Sequence, residues 1–277
     1  MKSTFKFTLA LGLAVVLCPR PAAANPRPLP FTYPYATLPK GELELELYSD
    51  VTPLRVHVDP ADPSKGRLWA PMYQLQNEFE YGITDRLEVG FYQVFEANPV
   101  DGGDNSLLFD GLKFRLRTRL ANAGEWPVDV GLYFELETMH DELSFEGKVN
   151  LERDFGKLRV MTNLWAEESI ERPLDSQAHG QAAVFIINPT LGATYELTPG
   201  ANLGAEYWAR GELAPSGEGV ERADSRVHHF VGPALHLNFG KLWWSLGVYV
   251  NANSTKNPPI GSVYGPVWAR SVIGLEL

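Results

Sequence analysis

Residues 111–138 read GLKFRLRTRLANAGEWPVDVGLYFELET, and this stretch decides the fold. Leu112, Phe114, Leu116 and Leu120 alternate with Lys113, Arg115, Arg117 and Arg119. After the link ANAGEW (121–126), Val128, Val130, Leu132, Phe134 and Leu136 alternate with Asp129, Tyr133, Glu135 and Glu137. Successive side chains of a strand point to opposite faces, so each run has one apolar and one charged surface. A helix would scatter the same residues around its circumference.

The period of two extends outward in both directions. In 41–48 (GELELELY) the leucines 43, 45 and 47 oppose Glu42, Glu44 and Glu46. In 72–82, Tyr73, Leu75, Phe79 and Tyr81 oppose Gln74, Gln76, Glu78 and Glu80. In 86–96, Leu87, Val89, Phe91 and Phe95 share a face, and in 143–153 Leu143, Phe145, Val149 and Leu151 oppose Glu146, Lys148, Asn150 and Glu152. Further strands are expected at 158–167, 182–197, 201–210, 227–239, 242–251 and 266–277. That makes about 12, with 10 or 14 following if a segment has been split or merged.

The links alternate in kind. Those at 83–85, 121–126, 154–157, 198–200 and 240–241 are tight, whereas 50–67, 97–106, 168–180, 211–226 and 252–265 are longer and polar, with 139–142 a short exception. Runs long enough to cross a bilayer at a tilt, apolar on one face and joined this way, predict an all-β, transmembrane, antiparallel up-and-down β-barrel. A soluble sandwich would put its polar residues outward and use shorter strands. An even strand count places both termini at the periplasmic end.

Residues 1–24 have the layout of a signal peptide: Lys2 and Lys6, an apolar run at 7–18, then Ala22–Ala24 before Asn25. Residues 25–40 (NPRPLPFTYPYATLPK) are proline-rich and read as an extended periplasmic arm, leaving 41–277 as the barrel. Cleavage would remove three basic residues and the single Cys, leaving 21 basic against 34 acidic side chains. No disulfide framework or cysteine nucleophile is then available. The acidic balance excludes the basic footprint of a nucleic-acid binder. The expected location is the bacterial outer membrane, with lipid, lipopolysaccharide, the barrel assembly machinery during biogenesis and a small solute as partners, and a monomer as the working state.

Twelve tilted strands give a backbone radius of about 12 Å, so side chains decide whether the lumen conducts. An ion-pair network is expected there. Lys113 and Arg115 should neighbour Glu96, Glu135 and Glu137, while Arg117 and Arg119 should lie near Glu88 and Asp129. A separate acidic seam, Glu42, Glu44, Glu46, Glu78, Glu80 and Glu276, follows from the same parity. Tyr92, Tyr133, Trp165, Trp208, Trp243, Tyr249 and Trp268 point inward and can either contact an apolar solute or fill the barrel. The facing of Tyr195 is left open.

No cofactor or metal is expected. His228 and His236 share a face but stand roughly 26 Å apart along an extended strand. A barrel lipid hydrolase using Ser225 with Asp224 and His228, or Ser176 with His179, is an alternative without visible oxyanion donors. A closed structural or adhesive barrel, binding through loops 50–67 and 211–226, is another. The segments NEFEYGITDRLEVGFY (77–92) and NPTLGATYELTPGANLGAEYW (188–208) resemble the hairpins of the outer-membrane barrels grouped as the MetA-pathway of phenol degradation. That resemblance implies a non-enzymatic channel or passive facilitator for small solutes, hydrophobic or aromatic ones among them.

Overall fold

The computed structural model describes residues 27–59, 61–99, 106–140, 142–171, 182–213, 227–253, 260 and 262–277. The signal-peptide expectation at 1–24 lies outside them, as do Asp224, Ser225, Ser176 and His179. The strands are β1 (Leu43–His57), β2 (Arg67–Thr84), β3 (Leu87–Ala97), β4 (Leu108–Arg119), β5 (Asp129–Met139), β6 (Glu142–Phe155) and β7 (Leu158–Glu171). There follow β8, in two segments (Ala182–Ile187 and Thr190–Thr198), β9 (Ala201–Leu213), β10 (His228–Asn238), β11 (Leu242–Asn251) and β12 (Val267–Glu276). Both segments of β8 lie between β7 and β9, so Asn188-Pro189 interrupts one strand instead of separating two. The gap is bridged by hydrogen bonds from Asn188 N to Trp165 O and from Ala209 N to Pro189 O.

Each strand pairs antiparallel with its sequence neighbours, and β1 pairs with β12 from Glu44↔Glu276 to Val51↔Ala269. The sheet is a closed twelve-stranded barrel. Closure satisfies the backbone groups that an open edge would leave bare in hydrocarbon, where each would cost several kcal/mol. Left-handed glycines such as Gly156 (φ 66°) and Gly240 (φ 92°) allow the tight turns at one rim, the periplasmic end.

The outer surface is apolar at mid-height. Phe79, Phe91, Phe114, Phe134, Leu164, Leu191 and Val248 are all exposed. Tyr81, Trp126, Phe155, Tyr195 and Phe239 cluster around the tight-turn rim as an aromatic girdle, and Tyr195 therefore faces outward.

Two expectations are corrected. The link 50–67 is mostly strand: β1 and β2 pair as far as His57↔Arg67, leaving only 58–66 as connection. Pro53 and Pro71 stand opposite each other in the part of the hairpin that rises past β3 and β12, where no further ladder needs their missing N–H. Leu54, Val56 and Met72 there are buried with Trp268, so the face that is charged lower down turns apolar. The second correction concerns the arm. Residues 27–40 do not extend from the rim into the periplasm; they fold back inside the wall.

Candidate functional site

The lumen is built from the inward faces of all the strands and from the arm they enclose. Leu29, Phe31, Tyr33, Tyr35 and Leu38 are buried. From Lys40 backwards the chain makes a circuit of the inner wall. Lys40 N donates to Asp85 Oδ1 (3.1 Å) and Leu38 N to Glu88 Oε2 (2.7 Å). Arg117 donates to the carbonyls of Ala36 and Pro34, and Tyr35 N donates to Glu152 Oε2 (3.3 Å). Asn163 on β7 holds Tyr33 in both directions, accepting from its N–H (2.7 Å) and donating to its carbonyl (2.9 Å). Glu206 on β9 accepts the N–H groups of Phe31 and Thr32, and Ser245 on β11 donates to Arg27 O. The circuit closes on β1, where Arg27 donates to Tyr48 OH (2.7 Å).

A proline-rich segment cannot pair as a strand in a ladder, because its prolines lack donors. Its remaining N–H groups still need partners away from water, and inward carboxylates and amides of the wall supply them. Small residues make the seat. A Cβ on Gly131 would meet Tyr35 O at 2.8 Å, and one on Gly192 would run into the Leu29 side chain.

Phe31 occupies an aromatic box. It stacks on Trp208 (centroids 4.4 Å), meets Tyr249 edge-on (5.2 Å), and lies under the Arg270 guanidinium (3.9 Å); Trp208 in turn stacks on Phe230 at 4.0 Å. Across the lumen, the Lys148 ammonium sits 4.3, 4.0 and 3.7 Å from the rings of Tyr33, Tyr133 and Trp165. Such offset and cation–π contacts add about 0.5–1.5 kcal/mol each beyond area burial. Trp243 donates to Glu44, and Trp268 packs beside Phe31. All seven aromatics read as inward thus lie inside, five of them buried: Tyr92, Tyr133, Trp208, Trp243 and Tyr249.

The charged side chains on β4 find partners, in part different from those expected. Lys113 lies 3.6 Å from Glu135 and beside Glu137, and Arg117 is 3.3 Å from Glu88. Arg115 does not use Glu135. It reaches over β3 to Glu78, Glu80 and Glu88, because the neighbour opposite it is Gly90. A Cβ at that position would come within 3.0 Å of the Arg115 Nε and 2.7 Å of Glu78 Oε1. The acidic seam and the basic ladder therefore form one network. Arg119 donates to Asp85 O (2.8 Å), Asp129 accepts from Gly124 N (2.7 Å), and Glu96 accepts from Gln74 (3.2 Å), so these three serve turns and the outer rim.

Of the histidines, His236 Nδ1 lies 2.8 Å from Ser245 Oγ, whose own proton goes to Arg27 O; the pair anchors the arm with the hydroxyl already committed. His228 lies against Tyr264 (4.2 Å) and Asn251. Below the arm a cavity of about 320 Å³ opens near the tight-turn rim, lined by Pro28, Asp154, Lys157, Arg159, Asn202 and His236 among others. Sequence reasoning missed the arm contacts at Glu152, Asn163, Glu206 and Ser245. For Asn163, Glu206 and Ser245 the signal was a polar inward residue with no acidic, Lys or Arg neighbour opposite it; Glu152, 3.2 Å from Arg159, carried no such signal.

With a closed wall, an apolar belt and a polar interior in place, the membrane is settled. The chain is an integral outer-membrane barrel. Its fold is similar to that of an outer membrane channel from Pseudomonas putida F1, at 14% identity over 88% of this chain and 98% of that one, with a TM-score of 0.60. It is also similar to the NanC porin, at 8% identity over 84% of this chain and 100% of that one, with a TM-score of 0.55. The resemblance read from the hairpins at 77–92 and 188–208 holds at the level of fold. No family model matches the sequence, and no curated protein does.

Proposed function

We propose that this barrel is a passive outer-membrane channel for small solutes, without a catalytic step, and that its N-terminal arm sets the pore. The observation that carries this reading is the arm's circuit of the lumen, held by single side chains from separate strands and joined to the wall by one peptide bond at Gly41. A barrel that needed only a filled core could use wall side chains alone. A separable inner layer fits a passage that opens and closes. The fold likeness to an outer membrane channel and a porin points the same way.

The aromatic box around Phe31 supports hydrophobic or aromatic solutes as cargo, since a planar ring replacing Phe31 would meet the faces of Trp208 and Arg270. The inward charges serve as an ion-pair network that keeps the wall in shape. The barrel works as a monomer, with lipid and lipopolysaccharide against its belt and assembly machinery inserting it.

Planar-bilayer conductance and liposome swelling, with the full mature chain and with residues 27–40 deleted, test the reading. The deletion is expected to raise conductance several-fold and admit aromatic solutes faster. Absence of conductance and swelling in both forms would favour a closed structural barrel and overturn the channel.

A further inference from the structure

The outward face of the β1–β2 hairpin changes chemistry abruptly. From Leu43 to Pro53 on β1, and from Tyr81 to Pro71 on β2, its outward positions carry no charge. Beyond the two prolines come Arg55 opposite Trp69, then His57 opposite Arg67. All four point away from the lumen, because Leu54 and Val56, which alternate with Arg55 and His57, are buried inward. Trp69 is 52% exposed, and Tyr73 below it is exposed as well.

Height gives this switch a meaning. At a tilt of about 40° each residue of a strand climbs about 2.6 Å. The apolar band of such a barrel is about 25 Å tall, or about ten residues. Counted up from Tyr81 in the periplasmic girdle, the band ends at Pro71. Trp69 and Arg55 are then the first outward pair above hydrocarbon, at the level where indole rings settle and lipid headgroups begin.

Charge is concentrated at this one place on the outer side. Diagonal neighbours across two strands have Cβ atoms about 7–8 Å apart, so Arg55 and Arg67 share a single patch with His57 beside them. Lys65 at the tip is held by Asp59 and Asp62. Among the described residues, every other lysine and arginine points into the lumen or stands at the tight-turn rim. Two guanidinium groups set side by side over an apolar face attract an anion that is itself anchored in the membrane.

We propose that Arg55 and Arg67, with His57 and Trp69, bind the phosphorylated headgroup of an outer-leaflet lipopolysaccharide molecule, whose acyl chains run down the apolar face past Pro71 and Tyr73. A phosphomonoester carries about −1.5 to −2 charge and three acceptor oxygens, which matches two guanidinium forks; the single charge of a phosphodiester does not. The bound lipid would brace the part of the hairpin that rises beyond its neighbouring strands. The proposal rests on the membrane placement and is independent of whether the barrel conducts.

The test uses the full mature barrel in detergent, its folding checked by heat-modifiable migration on gels, and native mass spectrometry to follow lipid retention. Bisphosphorylated lipid A is the probe, and one tightly held molecule per barrel is expected. The double variant Arg55→Gln/Arg67→Gln should weaken its binding about 30-fold, at about 5-fold for each basic side chain at a membrane surface. Arg153→Gln, outward at the opposite rim, should leave it unchanged. Equal retention in the folded double variant, or an equal loss in Arg153→Gln, would overturn the proposal. Phosphatidylglycerol held as tightly as lipid A would overturn the choice of a phosphomonoester. Inorganic phosphate bound at millimolar concentration while lipid A is not retained would overturn the choice of a lipid.

Discussion

Glu206→Gln isolates the clamp at the middle of the arm. Glu206 Oε1 accepts the backbone N–H groups of Phe31 (3.0 Å) and Thr32, and its other oxygen accepts the Tyr249 hydroxyl. Glutamine keeps the shape and one acceptor oxygen but removes the charge. Hydrogen bonds to a charged group contribute about 1.5–3 kcal/mol and neutral ones about 0.5–1.5, so each of the two arm bonds weakens by about 1 kcal/mol. The docked arm then loses about 2 kcal/mol relative to the undocked one, or about 30-fold in the equilibrium at 1.4 kcal/mol per decade. Single-channel recording should show this as a rise in the fraction of time spent at the conductance of the arm-deleted barrel. An amide at this position also removes a buried charge, so the wall itself should not weaken, and gel migration would confirm that. An open fraction equal to or below that of the unaltered protein, in a folded barrel, would refute the account of how the arm is held.

Three other substitutions probe separate parts of the structure. Gly131→Leu places a side chain where Tyr35 O stands 2.8 Å from a Cβ; it should push the arm off the wall and make residues 27–40 cleavable by added protease, whereas continued protection would show that the seat is not used. Arg115→Met strands Glu78, Glu80 and Glu88 and should destabilise the barrel by about 3–5 kcal/mol in urea-titrated folding into vesicles; a loss below 1 kcal/mol would mean those carboxylates are neutralised otherwise. Phe134→Arg, on the lipid face at mid-strand, should cost about 2–4 kcal/mol in the same assay, against about 0–1 for Phe155→Arg at the periplasmic girdle. Equal effects at the two depths would contradict the membrane placement.

Much of the wall could be read from the sequence, because lipid on one side and a polar lumen on the other impose opposite demands on successive residues. The run Leu112–Arg119 states its own facing without help from any distant contact. The hairpin beyond Asp50 was obscured by a reversal: Leu54 and Val56 point inward and Arg55 outward, so a rule of apolar outside misreads it. Arg115 does stand opposite Glu135 as expected, but its guanidinium pairs with Glu78, Glu80 and Glu88, because Gly90 on the other side leaves the way clear for a long side chain. The arm was illegible for a deeper reason. Nothing local to NPRPLPFTYPYATLPK differs from an extended tail, and the residues that capture it lie between 21 and 218 positions away. Only the finished wall brings Asn163, Glu206 and Ser245 around one segment.

The single covalent attachment of the arm has a consequence for how such a protein can change. A solute in the lumen meets two linings with different histories of constraint. The wall must satisfy lipid, ladder and closure at once, so an inward substitution on a strand is felt by its neighbours on either side. Residues 27–40 answer only to the seat. Altering Phe31 or Tyr33 would rewrite what the passage admits without touching a strand, and exchanging the whole segment would graft a new lining onto an unaltered shell. On the proposed role of the arm, selectivity in this architecture would be separable from assembly, and fourteen consecutive codons would encode it.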